Sequence, residues 1–205
     1  MQRFPVFAAA LAAVISATSL AAASDITSIY SSTAAKDCRK MPVAAGEVDA
    51  DDSAQWTCRG PAGLVVVKTE GDLRETITVG RTLKAAEDEP AASQGFAAFN
   101  STTNTIEWRL SGGKPFAMIQ RWHVAVGDGS QSKKAPKTRQ VLVVTRLPPG
   151  AVCHVAHIEV NGTRDANKAA RQAADELARG FDCKTDKISV VGMSGRVASL
   201  AMASR

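Results

Sequence analysis

Three histidines, four cysteines and one cluster of cations are the residues here whose types and spacing could do chemistry. His154 and His157 stand three apart in a run, residues 152–160 (VCHVAHIEV), whose β-branched content reads as a strand. Side chains alternate in direction along a strand, so this spacing sends the two imidazoles to opposite faces and keeps them from sharing a metal. His123 follows Trp122 and could act as a base near Asp128, but a surface or core-edge position is the expectation. Gly192-Met193-Ser194-Gly195 has the wrong spacing for a nucleophile elbow, and no strand–turn–helix follows it. Asp49-Ala50-Asp51-Asp52 opens like a calcium loop. Its sixth position is Ala54 and its twelfth Gly60, so the turn glycine and the bidentate acid are both absent. No P-loop or dinucleotide fingerprint occurs. The expectation is no catalytic set, no metal site and no cofactor.

The cysteines point to staples rather than reactivity. Cys38, Cys58, Cys153 and Cys183 include no C-x-x-C, and their spacing fits no zinc signature. An even count in an exported chain argues for two disulfides. Three pairings are possible, and sequence alone does not choose. Geometry favours one. The strand from Cys153 to Val160 rises about 23 Å at 3.3 Å per residue. The helix read over residues 164–179 spans about 22 Å at 1.5 Å per residue. Folded back antiparallel, that helix returns Cys183 to Cys153, which leaves Cys38 for Cys58.

Export is itself an expectation from the first residues. Met1 to Ala23 has one early cation, Arg3, then an uncharged apolar and small-residue run ending in Ala21-Ala22-Ala23, the pattern of a cleaved signal peptide. Periplasmic or secreted placement follows, with no transmembrane segment after cleavage. The net charge of +5 suits contact with anionic surfaces. One binding feature stands out in sequence: Lys133, Lys134, Lys137 and Arg139 form a basic connection that could meet an acidic glycan or an acidic envelope protein. Nucleic acid is not expected, because the loop has no interleaved aromatics and aromatics make up only 5% of the chain.

The elements that must position these groups are mostly strands. Residues 24–54 are small, polar and alanine-rich, and read as a loosely structured lead-in held by Cys38. A single domain over 55–191 follows, then a tail over 192–205. Strand patterns start at Trp56-Thr57-Cys58 and Leu64 to Lys68. Leu73 to Val79 alternates but carries Glu75 on its apolar face, which suggests a partly exposed or edge strand. Leu83 to Glu89 can form a helical turn ended by Pro90. Thr105 to Val126 is the clearest hairpin, turning at Ser111-Gly112-Gly113-Lys114, with Arg121 able to face Glu107 across the strands. Gln140 to Leu147 is another strand, closed by Pro148-Pro149-Gly150. The helix over about 164–179 places Ala166, Ala169, Ala170, Ala173 and Leu177 on one face. Arg171 and Asp175 make an i, i+4 pair on the other. Thr163 or Asp165 can cap its start, and Gly180 suits a left-handed stop. The expected fold is α+β: a mostly antiparallel sheet of six or seven strands with one C-terminal helix packed on it.

Ile106-Glu107-Trp108-Arg109, the run from Gln140 to Arg146, the run from Cys153-His154-Val155 through Asp165-Ala166-Asn167, and that from Ala173-Ala174-Asp175 to Cys183 resemble a group of small exported bacterial proteins of unassigned function. The resemblance covers about residues 55 to 190. It implies bacterial export and the cysteine framework, and no site. Trp56-Thr57-Cys58 followed by alternating strands is also similar to the opening of periplasmic C-type lysozyme inhibitors. The later Ser-Gly-x-x-Tyr segment of those proteins is absent, and the only tyrosine is Tyr30. The functional expectation is a non-enzymatic binding or accessory module for a macromolecule or an anionic surface ligand. The alternative is a cell-wall or glycan hydrolase working through dispersed carboxylates.

Overall fold

The structure, a computed structural model, describes residues 25–42, 53–126 and 137–192. The signal-peptide reading, Asp49 to Asp52, Lys133, Lys134 and all but Gly192 of the tail lie outside them. The strands are β1 (Ile26–Ser32), β2 (Cys38–Lys40), β3 (Ser53–Arg59), β4 (Val65–Gly71), β5 (Arg74–Gly80), β6 (Asn100–Ser111), β7 (Lys114–Ala125), β8 (Thr138–Arg146), β9 (His154–Glu159) and β10 (Ser189–Val191). The helices are α1 (Leu83–Glu87) and α2 (Ala166–Leu177). The chain is α+β. A six-stranded sheet in the order β1-β6-β7-β8-β9-β10 carries the C-terminal helix, and a separate meander β2-β3-β4-β5 makes a second sheet. Among the described strands only β9 and β10 run parallel; the excursion through α2 makes that crossover possible.

Apolar alternation explains the layers. One face of the six-stranded sheet sends Ile106, Trp108, Leu110 and Met118 into Leu64, Val66, Ile77 and Val79 of the smaller sheet's side. The other face sends Ala117, Ile119, Leu142, Val144, Val155 and Ile158 against Ala166, Ala170, Ala174 and Ala178. The buried stripe of α2 therefore runs at every fourth residue. Leu177, expected on that face, is exposed, and Ala169 and Ala173 are partly covered. Methyl groups along the stripe let the helix axis lie close on the sheet. Asp165 stands at the helix start in a left-handed conformation, with no side-chain cap bond. Gly180 is not among the residues at positive φ, so the left-handed stop is not used.

Three local expectations change. The lead-in contains β1, which pairs with β6 in the register Ile29 with Trp108, and Ser31 Oγ accepts from the buried Trp108 indole at 2.8 Å. A strand with Ile26, Ile29 and Tyr30 among one Thr and three Ser is possible here because an edge needs little apolar surface. β5 is an edge strand, as its pattern suggested, but Glu75 itself is buried. Lys68 Nζ lies 2.8 Å from it, and the Thr102 N–H and hydroxyl both donate to it at 2.6 Å. Arg121 does not meet Glu107, because the register sets Glu107 against Ile119. Arg121 instead donates to Gln140 and Asn167.

Candidate functional site

Five segments distant in sequence meet at one end of the layered sheets. The β3–β4 turn brings Ala62 and Leu64, and the residue after β5 is Arg81. The β6–β7 hairpin brings Lys114, Pro115 and Phe116; the turn after β8 brings Arg146 to Pro149; the end of α2 brings Arg179. Together they enclose a pocket of about 650 Å³, within the usual size range of small-molecule sites. Arg81, Lys114, Arg146 and Arg179 line it, and among the described residues no carboxylate does. Among the described residues none of these four cations forms an ion pair. Other buried or half-buried cations do have carboxylate partners, Lys68 with Glu75, Arg109 with Asp175 and Arg171 with Glu107, although among the described residues Arg121 does not.

Arg146 is the fixed centre of the pocket. Its Nη1 donates to the Ala151 carbonyl at 2.6 Å, Nη2 to Pro149 at 3.0 Å and Nε to Ala178 at 3.2 Å. The Pro148-Pro149-Gly150 turn thus wraps its carbonyls around the guanidinium. Gly150 sits at φ +89°, and a Cβ there would lie 2.9 Å from Nη1, so a side chain would displace the cation. All three acceptors are neutral carbonyls, so they orient the charge without cancelling it. Arg179 stands over the Phe116 ring, 4.7 Å from its centroid, a cation–π contact that holds a second charge at the rim. Leu64, Phe116 and Leu147 supply buried apolar wall, Pro115 and Pro148 partly exposed wall, and Pro149 an exposed edge.

One of the two disulfides braces this end. Cys38 and Cys58 are bonded across paired positions of β2 and β3, and Cys153 is bonded to Cys183. The second bridge joins the start of β9 to the segment after α2, the same two regions that Arg146 links. Cys183 Sγ also lies 3.4 Å from the Ala151 carbonyl that Arg146 uses.

The histidines fall elsewhere, and not as strand alternation predicts. β8 pairs with β9 as Val144 with Ala156 and Thr145 with His154, leaving Val155 as an extra residue. That bulge breaks the alternation and brings His154 to the face of His157. The rings contact, His154 Nδ1 to His157 Nε2 at 3.1 Å, both fully buried beside Phe96, while Trp122 meets His154 edge-on. Burial pulls His157 down to about 4, and burial together with the neighbouring imidazole pulls His154 well below its ordinary value. The two outer nitrogens, Gln120 Oε1 and Trp122 Nε1 have no hydrogen-bond partner. Among the described residues no three His, Cys, Asp or Glu side chains gather as a metal site. His123 is half-buried on β7.

Of the basic connection read from sequence, Lys137 and Arg139 are described. Lys137 is exposed, but Arg139 is not a free cation: it lies 3.3 Å from the buried Glu159. The pocket cations escape sequence reasoning because they sit at positions 81, 114, 146 and 179 with nothing local to join them. The one local signal is an arginine just ahead of Pro-Pro-Gly. No family model, no curated protein and no solved structure matches this chain.

Proposed function

We propose that this chain is an exported, non-enzymatic binding module of a bacterial envelope, periplasmic or secreted, that holds an anionic ligand in the pocket around Arg146. The observation that carries this reading is the set of four cations facing one pocket without a carboxylate among its described lining residues. Concentrated positive charge that the fold leaves unneutralised is stabilised by a ligand of opposite sign. The two disulfides are consistent with an oxidising compartment, and no helix among the described residues is long and apolar enough to cross a membrane. The hydrolase alternative finds less support, since the buried acids Glu75 and Glu159 are each held by a cation.

Retention on phosphocellulose under a salt gradient tests the reading. Arg146→Gln with Arg179→Gln should elute at clearly lower salt than the wild type. Replacing Lys133, Lys134 and Lys137 with Ser should shift elution less. If the pocket variant elutes with the wild type, the pocket is not the anion site and the reading fails.

A further inference from the structure

We propose that the pocket ligand is a phosphate monoester carried on an apolar body, the phosphoryl group against Arg146 and Arg179 and the body along the proline-lined wall. This rests on the anion-binding reading above and deepens it. The charge count argues first. A carboxylate would leave most of the positive charge of Arg81, Lys114, Arg146 and Arg179 unanswered, whereas a phosphate monoester carries about −1.5 to −2 at neutral pH.

The shape of the receptor argues second. A guanidinium has five N–H donors. Arg146 spends three on the carbonyls of Ala151, Pro149 and Ala178, one from each nitrogen. One N–H remains on each terminal nitrogen, available to donate to a phosphoryl oxygen. Because the carbonyls already fix the side chain, little rotamer freedom is left to lose on binding. Three of the four cations are arginines, the type suited to planar recognition of phosphate.

The wall argues third. An inorganic anion would occupy a small part of 650 Å³ and would leave the apolar surface of Pro115, Pro148 and Pro149 facing water. A polyanionic glycan would need a polar groove open at both ends, and this lining alternates with aliphatic and proline surface instead. Among the described residues the lining also holds no histidine, thiol or carboxylate, so the residues are set to hold a phosphate ester rather than to cleave it. The same headgroup can arrive as a soluble ester or in a lipid leaflet, and the two sources separate experimentally.

Titration calorimetry with the full disulfide-bonded protein compares octyl phosphate, kept below its micelle concentration, with ethyl phosphate, inorganic phosphate and octanoate. Octyl phosphate should bind at least tenfold more tightly than each of the other three. Arg179→Gln, at an exposed position, should weaken it at least tenfold. Co-sedimentation with vesicles of phosphatidylcholine containing phosphatidic acid, against phosphatidylcholine alone, then reads the source. Sedimentation with the acidic vesicles assigns a lipid headgroup, and its absence alongside tight octyl phosphate binding assigns a soluble ester. Equal affinity for octyl and inorganic phosphate overturns the apolar subsite, and equal affinity for octanoate overturns the phosphoryl preference. If either occurs while phosphocellulose retention still depends on the pocket, this inference falls and the anion-binding reading stands. If retention is also independent of the pocket, both fall.

Discussion

Two neutral imidazoles in contact inside a sheet interface must divide their roles, one nitrogen donating and the other accepting. The proton on His154 Nδ1 or His157 Nε2 is shared across 3.1 Å, and each ring keeps an outer nitrogen with no partner. Protonating either ring would place a charge among Phe96, Trp122 and a second imidazole, so the folded state resists it. The unfolded chain does not, and titrates near 6.5. Between about pH 6.5 and His157's folded value of about 4, the unfolded state binds more protons, so stability falls as pH falls through that window. The loss from His157 alone is about 3 kcal/mol on going from pH 7 to pH 4, and levels off below. Urea unfolding at a series of pH values should show this slope, and His157→Phe, which keeps an aromatic ring beside Phe96, should flatten it. An unchanged slope in that variant would place the acid sensitivity elsewhere. The strand was legible from its β-branched residues, but the meeting of the two rings was not. One extra residue, Val155, reverses which face His154 occupies, and nothing in the composition of that run marks a bulge.

Helix α2 is held to its sheet by two unlike devices. Its alanine stripe supplies close approach and little buried volume. Its neighbouring face supplies charge: Arg171 reaches Glu107 at 2.6 Å, and Arg109 binds both oxygens of Asp175 at 2.9 and 2.6 Å. Ser28 of β1 joins them, accepting from Arg109 and donating to Glu107. From sequence, Arg171 and Asp175 are natural i, i+4 partners on one helix, since periodicity reports which residues share a face and not what lies opposite. The alternation of Glu107 and Arg109 on β6 offers each a better partner across the interface. Arg109 is only 8% exposed, so removing Asp175 leaves a buried charge with only the more distant Glu107, 4.0 Å away, as counter-ion. Asp175→Ala should cost about 2–3 kcal/mol, slightly below a fully buried pair because Asp175 keeps some water contact. Asp88→Ala removes an ion pair of similar chemistry, with Lys84, on the exposed surface of the short helix α1. That change should cost less than about 0.5 kcal/mol. Denaturant midpoints of the two variants decide it: comparable losses would mean that burial does not set the worth of the α2 contacts.

At the scale of the molecule, two disulfides of similar thermodynamic weight have different positions relative to the pocket. The chain-entropy relation assigns roughly 3–4 kcal/mol to each, since they close loops of 20 and 30 residues. Cys38–Cys58 ties neighbouring strands that backbone hydrogen bonds already hold in register. Cys153–Cys183 ties the turn after β8 to the chain after α2, two segments that share no strand pairing and between which Arg146 is suspended. This division was partly legible. Strand and helix lengths bring Cys183 back to Cys153, yet they say nothing of the arginine caught between the same segments, because its partners are carbonyls that any residue could supply. Replacing either pair with Ala should therefore lower stability by similar amounts in urea unfolding. Binding should separate them. The Cys38/Cys58 variant, measured where it is still folded, should keep the wild-type elution from phosphocellulose. The Cys153/Cys183 variant should elute at lower salt although all four pocket cations remain, because the carbonyl cradle loses its tether and the guanidinium its fixed position. Equal elution of the two variants would show that Arg146 is oriented by the Pro-Pro-Gly turn alone, and that the second bridge contributes to the stability of the fold without contributing to the geometry of the site.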